Sequence, residues 1–158
     1  MIGRLSMSVL AATVLLTGAA SAATTVKRKV EIEGDMAKVW ADVGGWCAIS
    51  TWHPVVAKCE ESESGGKKHR TLTTKDGGVI KETMTKSSKT SYTYQIDESP
   101  LPVSNYTATF SVVADEDDKD EVNVVWSAKF TAKGKEADAK KVIDGIFKAG
   151  LDQIKKKY

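Results

Sequence analysis

The sequence has few of the residues that assign a chain to a functional class directly. Two cysteines and three prolines occur among 158 residues, and 23 basic residues nearly balance 21 acidic ones, for a net charge of +2. Two cysteines exclude a disulfide-framework miniprotein, and the charge balance excludes a strongly basic nucleic-acid-binding protein. So few prolines, together with 41% hydrophobic residues, argue against disorder. The length fits one globular domain.

Sequence motifs for metal and phosphate binding are also missing. There is no zinc-ligand spacing, no glycine-rich phosphate loop and no catalytic-triad motif. The acidic stretch Asp115–Glu121 lacks the glycine and the distal glutamate of a calcium loop, so we interpret it as a solvated turn. We therefore expect neither a metal ion nor a cofactor.

An apolar run lies near the N-terminus. Arg4 precedes the run Val9–Leu16, and small residues follow it up to Ala22. A positive start, a short apolar stretch and an Ala-x-Ala ending predict a secretory signal peptide over residues 1–22. The run is shorter than the ~18 residues that a membrane anchor needs. We expect cleavage to leave an exported, periplasmic domain, residues 23–158, without a membrane span.

Export leaves two interpretations of the cysteines. In an oxidising compartment Cys47 and Cys59 can pair, and closing so short a loop would stabilise the domain by about 3 kcal/mol. Spacing alone does not establish that the two backbones approach closely enough. Cys59 fits equally well as a small buried side chain in a strand. The sequence therefore does not decide between a disulfide and a free buried cysteine.

Alternation of apolar and polar residues dominates residues 23–158. It predicts about seven strands, which lie near Val26–Ile32, Val55–Glu60, Lys68–Thr74, Val79–Thr85, Tyr92–Ile96, Tyr106–Val112 and Val122–Phe130. The turns between most of them are short, and one contains Asp76-Gly77, a strong hairpin signal. Short turns predict an antiparallel meander.

Two segments have helical rather than strand periodicity. Asp35 can cap a short helix over Met36–Val43, which a second helical turn follows before the second strand. Apolar residues from Val142 to Ile154 recur at three- and four-residue steps, which predicts an amphipathic C-terminal helix of about twenty residues. The predicted fold class is α+β: a curved antiparallel sheet with the long helix over its concave face.

Three strings carry a family resemblance. They are Trp52-His53-Pro54, then His69-Arg70-Thr71-Leu72 with the following Asp76-Gly77-Gly78, and Tyr92-Thr93-Tyr94 with Pro100–Tyr106. Together with the order of elements, they resemble the START-like, Bet v 1-type superfamily (SRPBCC), and within it the polyketide cyclase/dehydrase and lipid-transport group. The resemblance implies a helix-grip fold with a cavity between the sheet and the long helix.

Within that group the chain most resembles the exported MxaD type of periplasmic methanol oxidation. This resemblance implies a non-catalytic accessory protein that promotes the interaction of methanol dehydrogenase with its cytochrome c acceptor. Two other hypotheses stay open. One is a carrier or sensor of a small hydrophobic ligand, which can bear an acidic group; the other is a cyclase or dehydratase that uses His53 and Glu82.

The predicted cavity supplies the candidate binding residues. An empty cavity destabilises a core, so a retained one is a candidate ligand site. The candidates are Trp40, Trp46, Trp52, His53, Lys58, Arg70, Glu82, Tyr94, Leu101, Tyr106, Trp126, Phe147 and Leu151. Ordinary core packing is the alternative for each aromatic residue among them.

The polar candidates have alternatives of their own. Lys58, Arg70 and Glu82 can project inward from neighbouring strands and hold a polar ligand group, or they can form a salt bridge or lie at the surface. A one-residue change of register turns each of them outward. Lys58 also stands where the plant abscisic-acid receptors, which share the broad pattern, carry a ligand-contacting lysine. His53 can serve as an acid/base group or hydrogen-bond the backbone.

Overall fold

The computed structural model describes residues 22–158, so the predicted signal peptide lies outside the described residues except for Ala22. Seven strands and three helices follow in the order β1 Thr24–Glu33, α1 Met36–Val43, α2 Ile49–Trp52, β2 Val56–Ser64, β3 Lys67–Thr74, β4 Val79–Ser87, β5 Ser91–Glu98, β6 Val103–Ala114, β7 Glu121–Ala132 and α3 Glu136–Lys157. None of the helices in this part of the chain is long and apolar enough to cross a membrane.

All seven strands form a single sheet in which every neighbouring pair is antiparallel. Their order is β1-β7-β6-β5-β4-β3-β2, so consecutive strands are neighbours from β2 to β7. β1 closes the far edge beside β7, and the link through α1 and α2 therefore connects the two edges of the sheet. This arrangement, with α3 packed on the sheet, confirms the predicted α+β helix-grip fold.

Helix α1 begins where its sequence predicts. The Oδ1 atom of Asp35 accepts hydrogen bonds from the backbone N–H groups of Ala37 and Lys38, each at 3.0 Å. These bonds satisfy two of the backbone donors that a helix leaves free at its N-terminus. Val39 and Val43 are the buried residues of the helix and attach it to the core.

Helix α3 is held on the sheet by one apolar face and one ion pair. Its buried residues include Ile143, Phe147 and Leu151, at the spacing of an amphipathic helix. On its side, Arg28 of β1 donates two hydrogen bonds to the Asp144 carboxylate, at 2.6 and 2.7 Å. The helix therefore lies over β1 and β7 rather than over the middle of the sheet.

Register shifts decide which side chains face inward: two lie in the β4–β5 pair, and β2 and β6 carry one bulge each. In β2 one extra residue lies between Val56 and Lys58. In β6 one extra residue lies between Ser104 and Thr107, and Asn105 there has a φ of 49°. A bulge inserts an unpaired residue and changes the alternation of the strand from that point on.

The inner face of the sheet divides into two regions. We call β6, β7 and β1 the packed half, because aromatic rings and α3 fill the space above these strands. The Trp126 and Phe147 rings stack there with centroids 4.4 Å apart, and the Trp52 and Phe110 rings stack at 5.4 Å. We call β2 to β5 the hollow half, because the space above these strands is only partly filled.

Candidate functional site

An apolar cavity of about 390 Å³ lies over the hollow half. Its wall comprises Ile49, His53, Val55, Val56, Leu72, Thr74, Lys75, Asp76, Gly78, Ile80, Glu82, Tyr94, Ile96, Pro100, Leu101, Tyr106, Trp126, Ile143 and Ile146. Most of these are aliphatic, and a few polar groups converge among them. A concave apolar site with a small number of polar groups is the usual form of a small-molecule site.

Two turns form one end of this cavity. Lys75, Asp76 and Gly78 come from the β3–β4 turn, and Pro100 and Leu101 from the β5–β6 connection. The Asp76 carboxylate accepts hydrogen bonds from the Thr74 hydroxyl and from the Gly78 N–H. These bonds lower the pKa of Asp76 and fix the turn. A Cβ atom added to Gly78 would lie 3.6 Å from Cγ of Pro100, so the two turns meet there.

Glu82 and Arg70 form a buried ion pair beside the cavity. Nε of Arg70 lies 2.5 Å from Oε2 of Glu82, and the Arg70 side chain is 0% exposed. The two residues are paired across β3 and β4, so the sheet register brings them together. Glu82 belongs to the cavity wall and Arg70 does not. A ligand in the cavity would therefore meet the carboxylate first.

Arg70 is enclosed by aromatic rings. Its Cζ lies 3.8 Å from the centre of the Trp46 ring and 5.1 Å from that of Tyr94, within the range of cation–π attraction. Its Nη1 donates to the Trp46 carbonyl oxygen at 2.5 Å. Within residues 22–158, Nη2 of Arg70 has no hydrogen-bond partner. The guanidinium is thus fixed by the link between α1 and α2 as well as by Glu82.

Burial and the ion pair act in opposite directions on these charges. Burial raises the pKa of Glu82, and the adjacent Arg70 guanidinium opposes that rise. The pKa of Arg70 is raised by Glu82 despite burial, so the guanidinium stays charged. A buried carboxylate 2.5 Å from a permanent cation is held in its ionised form.

Two tyrosines complete the polar part of the cavity wall. The hydroxyl oxygen of Tyr94 accepts a hydrogen bond from Nε1 of Trp126 at 3.0 Å, which leaves its own proton free to donate. Burial raises the pKa of both Tyr94 and Tyr106, so both hydroxyls stay protonated at neutral pH. We call Glu82, Tyr94 and Tyr106 the polar pole of the cavity.

His53 also faces the cavity, but both of its ring nitrogens are engaged by the main chain. Nδ1 accepts from the Val55 N–H at 3.3 Å, so the proton resides on Nε2, which donates to the Ile146 carbonyl oxygen at 3.0 Å. Burial lowers the pKa of His53 and keeps the ring neutral. His53 is predicted to be either an acid/base group or a hydrogen-bond partner of the backbone, and in the structure it bonds the backbone.

Six of the sequence-predicted candidates lie in the cavity wall: His53, Glu82, Tyr94, Leu101, Tyr106 and Trp126. Others lie in the packing around it and require a correction. Trp40 packs on Tyr92 and Phe110, and Trp46 covers Arg70.

Trp52, Phe147 and Leu151 belong to the packed half. Trp52 and Phe147 stack there on other rings, and Leu151 is fully buried on the inner face of α3. The reason is that α3 covers β1 and β7, so aromatic residues near it fill the core instead of lining a cavity.

Lys58 is a further correction. Its side chain is 62% exposed, and its Nζ lies 2.8 Å from a Glu60 carboxylate oxygen, so it points away from the cavity. The β2 bulge is the cause, because the extra residue lets Val56 face inward and turns Lys58 outward. Bulges have no clear signature in a single sequence, so alternation counted forward from Val56 places Lys58 on the wrong face.

Sequence reasoning missed most of the aliphatic wall. The missed wall residues come from three strands and from the long helix. They are Leu72 of β3, Ile80 of β4, Ile96 of β5, and Ile143 and Ile146 on the inner face of α3. Their signal was the same alternation that predicted the strands. Alternation marks every inward side chain alike, so it does not separate the wall of a cavity from a packed core.

The two cysteines are joined in a disulfide. Their Cα atoms are 5.5 Å apart, and the bond ties the link between α1 and α2 to β2. Cys47 directly follows Trp46, whose carbonyl oxygen binds Arg70. The disulfide therefore supports the segment that encloses the buried ion pair.

Comparison with known proteins agrees with this architecture. The family model for polyketide cyclase/dehydrase and lipid transport matches residues 23–158. The protein XoxI from Bacillus cereus is 28% identical with a TM-score of 0.78, over 85% of this chain and 94% of that one.

Two enzymes share the fold at lower identity. The Zhui aromatase/cyclase of a Streptomyces species is 13% identical with a TM-score of 0.67, over 86% of this chain and 93% of that one. Norcoclaurine synthase from Thalictrum flavum, in complex with dopamine and hydroxybenzaldehyde, is 19% identical with a TM-score of 0.63, over 96% of this chain and 95% of that one.

Comparison with curated protein sequences gave no match. The family match nevertheless spans nearly the whole part of the chain that the structure describes. The chain belongs to the polyketide cyclase/dehydrase and lipid transport family, within the Bet v 1-like SRPBCC superfamily.

Proposed function

We propose that this protein binds a small, mainly apolar molecule that carries a hydrogen-bond donor, such as an amine or a hydroxyl group, and that it does so without chemical turnover. The single observation that carries the proposal is the aliphatic cavity of about 390 Å³ with a carboxylate in its wall, that of Glu82, which is paired with Arg70. That volume suits a molecule of roughly drug-fragment size.

The polar pole favours a donor over an acid. Oε2 of Glu82 already accepts from Arg70, and within residues 22–158 its other carboxylate oxygen has no hydrogen bond. Lys58 lies outside the cavity and Arg70 lies behind Glu82. The lysine of the wall, Lys75, belongs to the β3–β4 turn and not to the polar pole, so an anionic group at the polar pole would meet the Glu82 carboxylate. A donor placed at the free carboxylate oxygen gains a charge-assisted hydrogen bond.

The absence of an available base supports binding without turnover. General acid–base catalysis needs a side chain that can exchange a proton with the substrate. His53 directs both nitrogens to the main chain, and Glu82 is held by Arg70. A cyclase or dehydratase would need one of these groups to leave its partner.

Calorimetric titration with three matched probes tests this proposal. We expect 2-phenylethylamine and 2-phenylethanol to bind, and 3-phenylpropionate to bind at least about tenfold more weakly, because a charge-assisted hydrogen bond contributes about 1.5–3 kcal/mol. In Glu82→Gln the preference for the amine over the carboxylate should disappear while the alcohol still binds. Equal binding of all three probes, or no binding of any, would overturn the proposal.

A second candidate function is assistance to periplasmic methanol oxidation, and a charged surface favours it. Acidic residues from the start of α1 and from the β6–β7 hairpin gather around one hollow: Glu33, Asp35, Asp118, Asp120 and Glu121. Burial and the neighbouring carboxylates raise the pKa of Glu121, the direction expected inside a negative field. Such a surface would steer a basic partner protein.

The second candidate is tested by the rate of electron transfer from methanol dehydrogenase to its cytochrome c acceptor, with and without this protein. Acceleration that weakens with salt would support it, because screening removes steering. A matched variant with Asp118→Asn and Asp120→Asn should lose the acceleration and keep phenylethylamine binding. No change in rate or affinity on addition of the protein would contradict this role.

A further inference from the structure

A chain of hydrogen bonds crosses the outer face of the sheet, away from the cavity. Arg70 and Glu82 face inward, so their neighbours His69 and Thr83 face the other side of β3 and β4. Ser64 of β2 and Asp97 of β5 extend this row at its two ends. None of these four side chains belongs to the cavity wall.

The direction of each hydrogen bond in this row follows from Asp97. The Thr83 hydroxyl donates to Oδ2 of Asp97 at 2.5 Å, because a carboxylate only accepts. Oγ1 of Thr83 lies 2.8 Å from Nδ1 of His69 and has no second proton, so Nδ1 must be the donor. Nε2 of His69 is then the unprotonated nitrogen and accepts from Oγ of Ser64 at 3.0 Å. The Ser64 carbonyl oxygen lies farther from Nε2, at 3.4 Å, and receives no proton from it in this tautomer.

This arrangement gives Ser64 a base within hydrogen-bond reach and gives that base a fixed tautomer. The nucleophile, the base and an orienting group are the parts that activate a serine hydroxyl in hydrolases. Here the Thr83 hydroxyl links the two groups: it donates a hydrogen bond to the Asp97 carboxylate and accepts one from Nδ1 of the imidazole. Thr83 is only 4% exposed, which holds the relay in place, whereas Ser64 is exposed to solvent.

The turn after Ser64 offers donors for a developing negative charge. Gly65 and Gly66 have φ values of 57° and 70° and form a two-residue turn. Within the described chain neither N–H donates to a backbone acceptor. A backbone N–H directly after a nucleophilic serine is a common oxyanion donor. Lys67, paired with Ser64 across the hairpin, adds positive charge nearby.

We propose that Ser64 is an activated nucleophile that accepts acyl groups from small, activated esters, with His69 as its general base. The Ser64 oxygen forms a bond to the acyl carbon, its proton passes to Nε2 of His69, and the bond to the leaving oxygen breaks as that oxygen takes the proton. Water then attacks the acyl carbon and gives a proton to Nε2 of His69, and the bond from the acyl carbon to the Ser64 oxygen breaks as that oxygen takes the proton, which releases the free acid. Thr83 and Asp97 are positioning residues.

The exposure of Ser64 sets the class of acyl donor. No described cavity adjoins this side chain, so binding energy contributes little and the leaving group must be good. Aryl esters such as p-nitrophenyl acetate satisfy this requirement. Bulky or unactivated esters do not.

Acetylation by p-nitrophenyl acetate, read residue by residue with mass spectrometry, tests the proposal. Ser87, an exposed strand serine, provides a comparison in the same digest. We expect Ser64 to be acetylated about 100-fold faster than Ser87, since a general base contributes roughly 10²–10⁴-fold. Hydroxylamine removes ester-linked acetyl from serine but not amide-linked acetyl from Lys67. Equal rates at Ser64 and Ser87 would overturn the proposal.

Variants of the relay separate positioning from folding. His69→Gln should reduce Ser64 acetylation to the Ser87 rate. Thr83→Val should reduce it about tenfold, and Thr83→Ser should restore it, because the hydroxyl group alone links the Asp97 carboxylate to the imidazole. Unchanged acetylation in Thr83→Val would contradict the relay.

Phenylethylamine binding provides the folding control in these variants. It reports the cavity on the other face of the sheet, so it should stay unchanged while acetylation falls. Loss of both signals in Thr83→Val, with Thr83→Ser also inactive, would mean a structural role for Thr83 and would count against the proposal.

Discussion

The two halves of the sheet use their apolar residues differently. In the packed half, rings stack on one another under α3, as Trp126 does on Phe147 at 4.4 Å. In the hollow half, aliphatic side chains line an open space and the largest polar groups are the buried pair Arg70 and Glu82. The aromatic residues therefore mainly build the core, whereas the cavity has aliphatic walls and the polar pole.

The buried ion pair follows the same division. Desolvation of two charges often costs more than their attraction returns, so a pair of this kind adds little net stability compared with apolar residues. Its position beside the cavity, rather than in the packed half, fits a role in ligand recognition.

Breaking the ion pair should have the largest effect. Arg70→Met leaves the Glu82 carboxylate buried without its cation, which should lower the free energy of unfolding by about 3–5 kcal/mol in urea titrations. The double variant Arg70→Met with Glu82→Leu removes both charges and should recover most of that loss. It should not recover the preference for amine ligands. A single variant as stable as the wild type would contradict this account of the pair.

Removing the disulfide should come next and should affect mainly the hollow half. Cys47→Ser together with Cys59→Ser releases the link between α1 and α2 from β2. The free energy of unfolding should fall by about 3 kcal/mol, because the unfolded chain regains the freedom that the cross-link removed, and the short loop limits the loss to that size. Hydrogen exchange should quicken more in β2 and β3 than in β1 and α3, because the first two lose a local tie as well as global stability. Uniform quickening across both halves would argue against independent behaviour.

Two glycines of α3 form a matched test of packing. A Cβ atom at Gly150 would lie 2.7 Å from Cδ2 of His53 and 2.8 Å from Cζ3 of Trp52, whereas one at Gly145 would meet nothing within 4 Å. Gly150→Ala should therefore destabilise the protein by about 1–3 kcal/mol.

Gly145→Ala should stabilise it by about 0.5–1 kcal/mol through helix propensity. Thermal unfolding of both variants checks the contrast. If Gly150→Ala were also stabilising, α3 would be packed less closely against His53 and Trp52 than these distances indicate.

The smallest effect concerns acidification. Burial lowers the pKa of His53 in the folded state, so the folded protein resists a proton that the unfolded chain accepts. Stability is unaffected well above the ordinary histidine pKa of about 6.5 and falls as the pH drops through it, by at most about 1.4 kcal/mol per unit. His53→Gln should flatten this slope in urea titrations at pH 7 and pH 5.5. An equal slope in both proteins would contradict a buried neutral His53.

The fold followed from the sequence more fully than the site did. Alternation in β1 to β7 and the Asp35 cap predicted the element order and the bounds of α1, because local pattern and capping act within a few residues. The site depends on longer-range geometry. The β2 bulge turned Lys58 outward, and the placement of α3 over β1 and β7 assigned Phe147 and Leu151 to packing. Neither feature has a local signal.

The most direct test of the division compares phenylethylamine affinity in one variant from each half. Ile80→Phe adds volume to the cavity wall, and we expect affinity to fall at least about tenfold while stability changes by less than about 1.5 kcal/mol, since open space accepts the larger ring. Phe147→Leu removes a ring from the packed half and should lower stability by about 1–2 kcal/mol. It should leave affinity unchanged. Normal affinity in Ile80→Phe, with lost affinity in Phe147→Leu, would contradict the account.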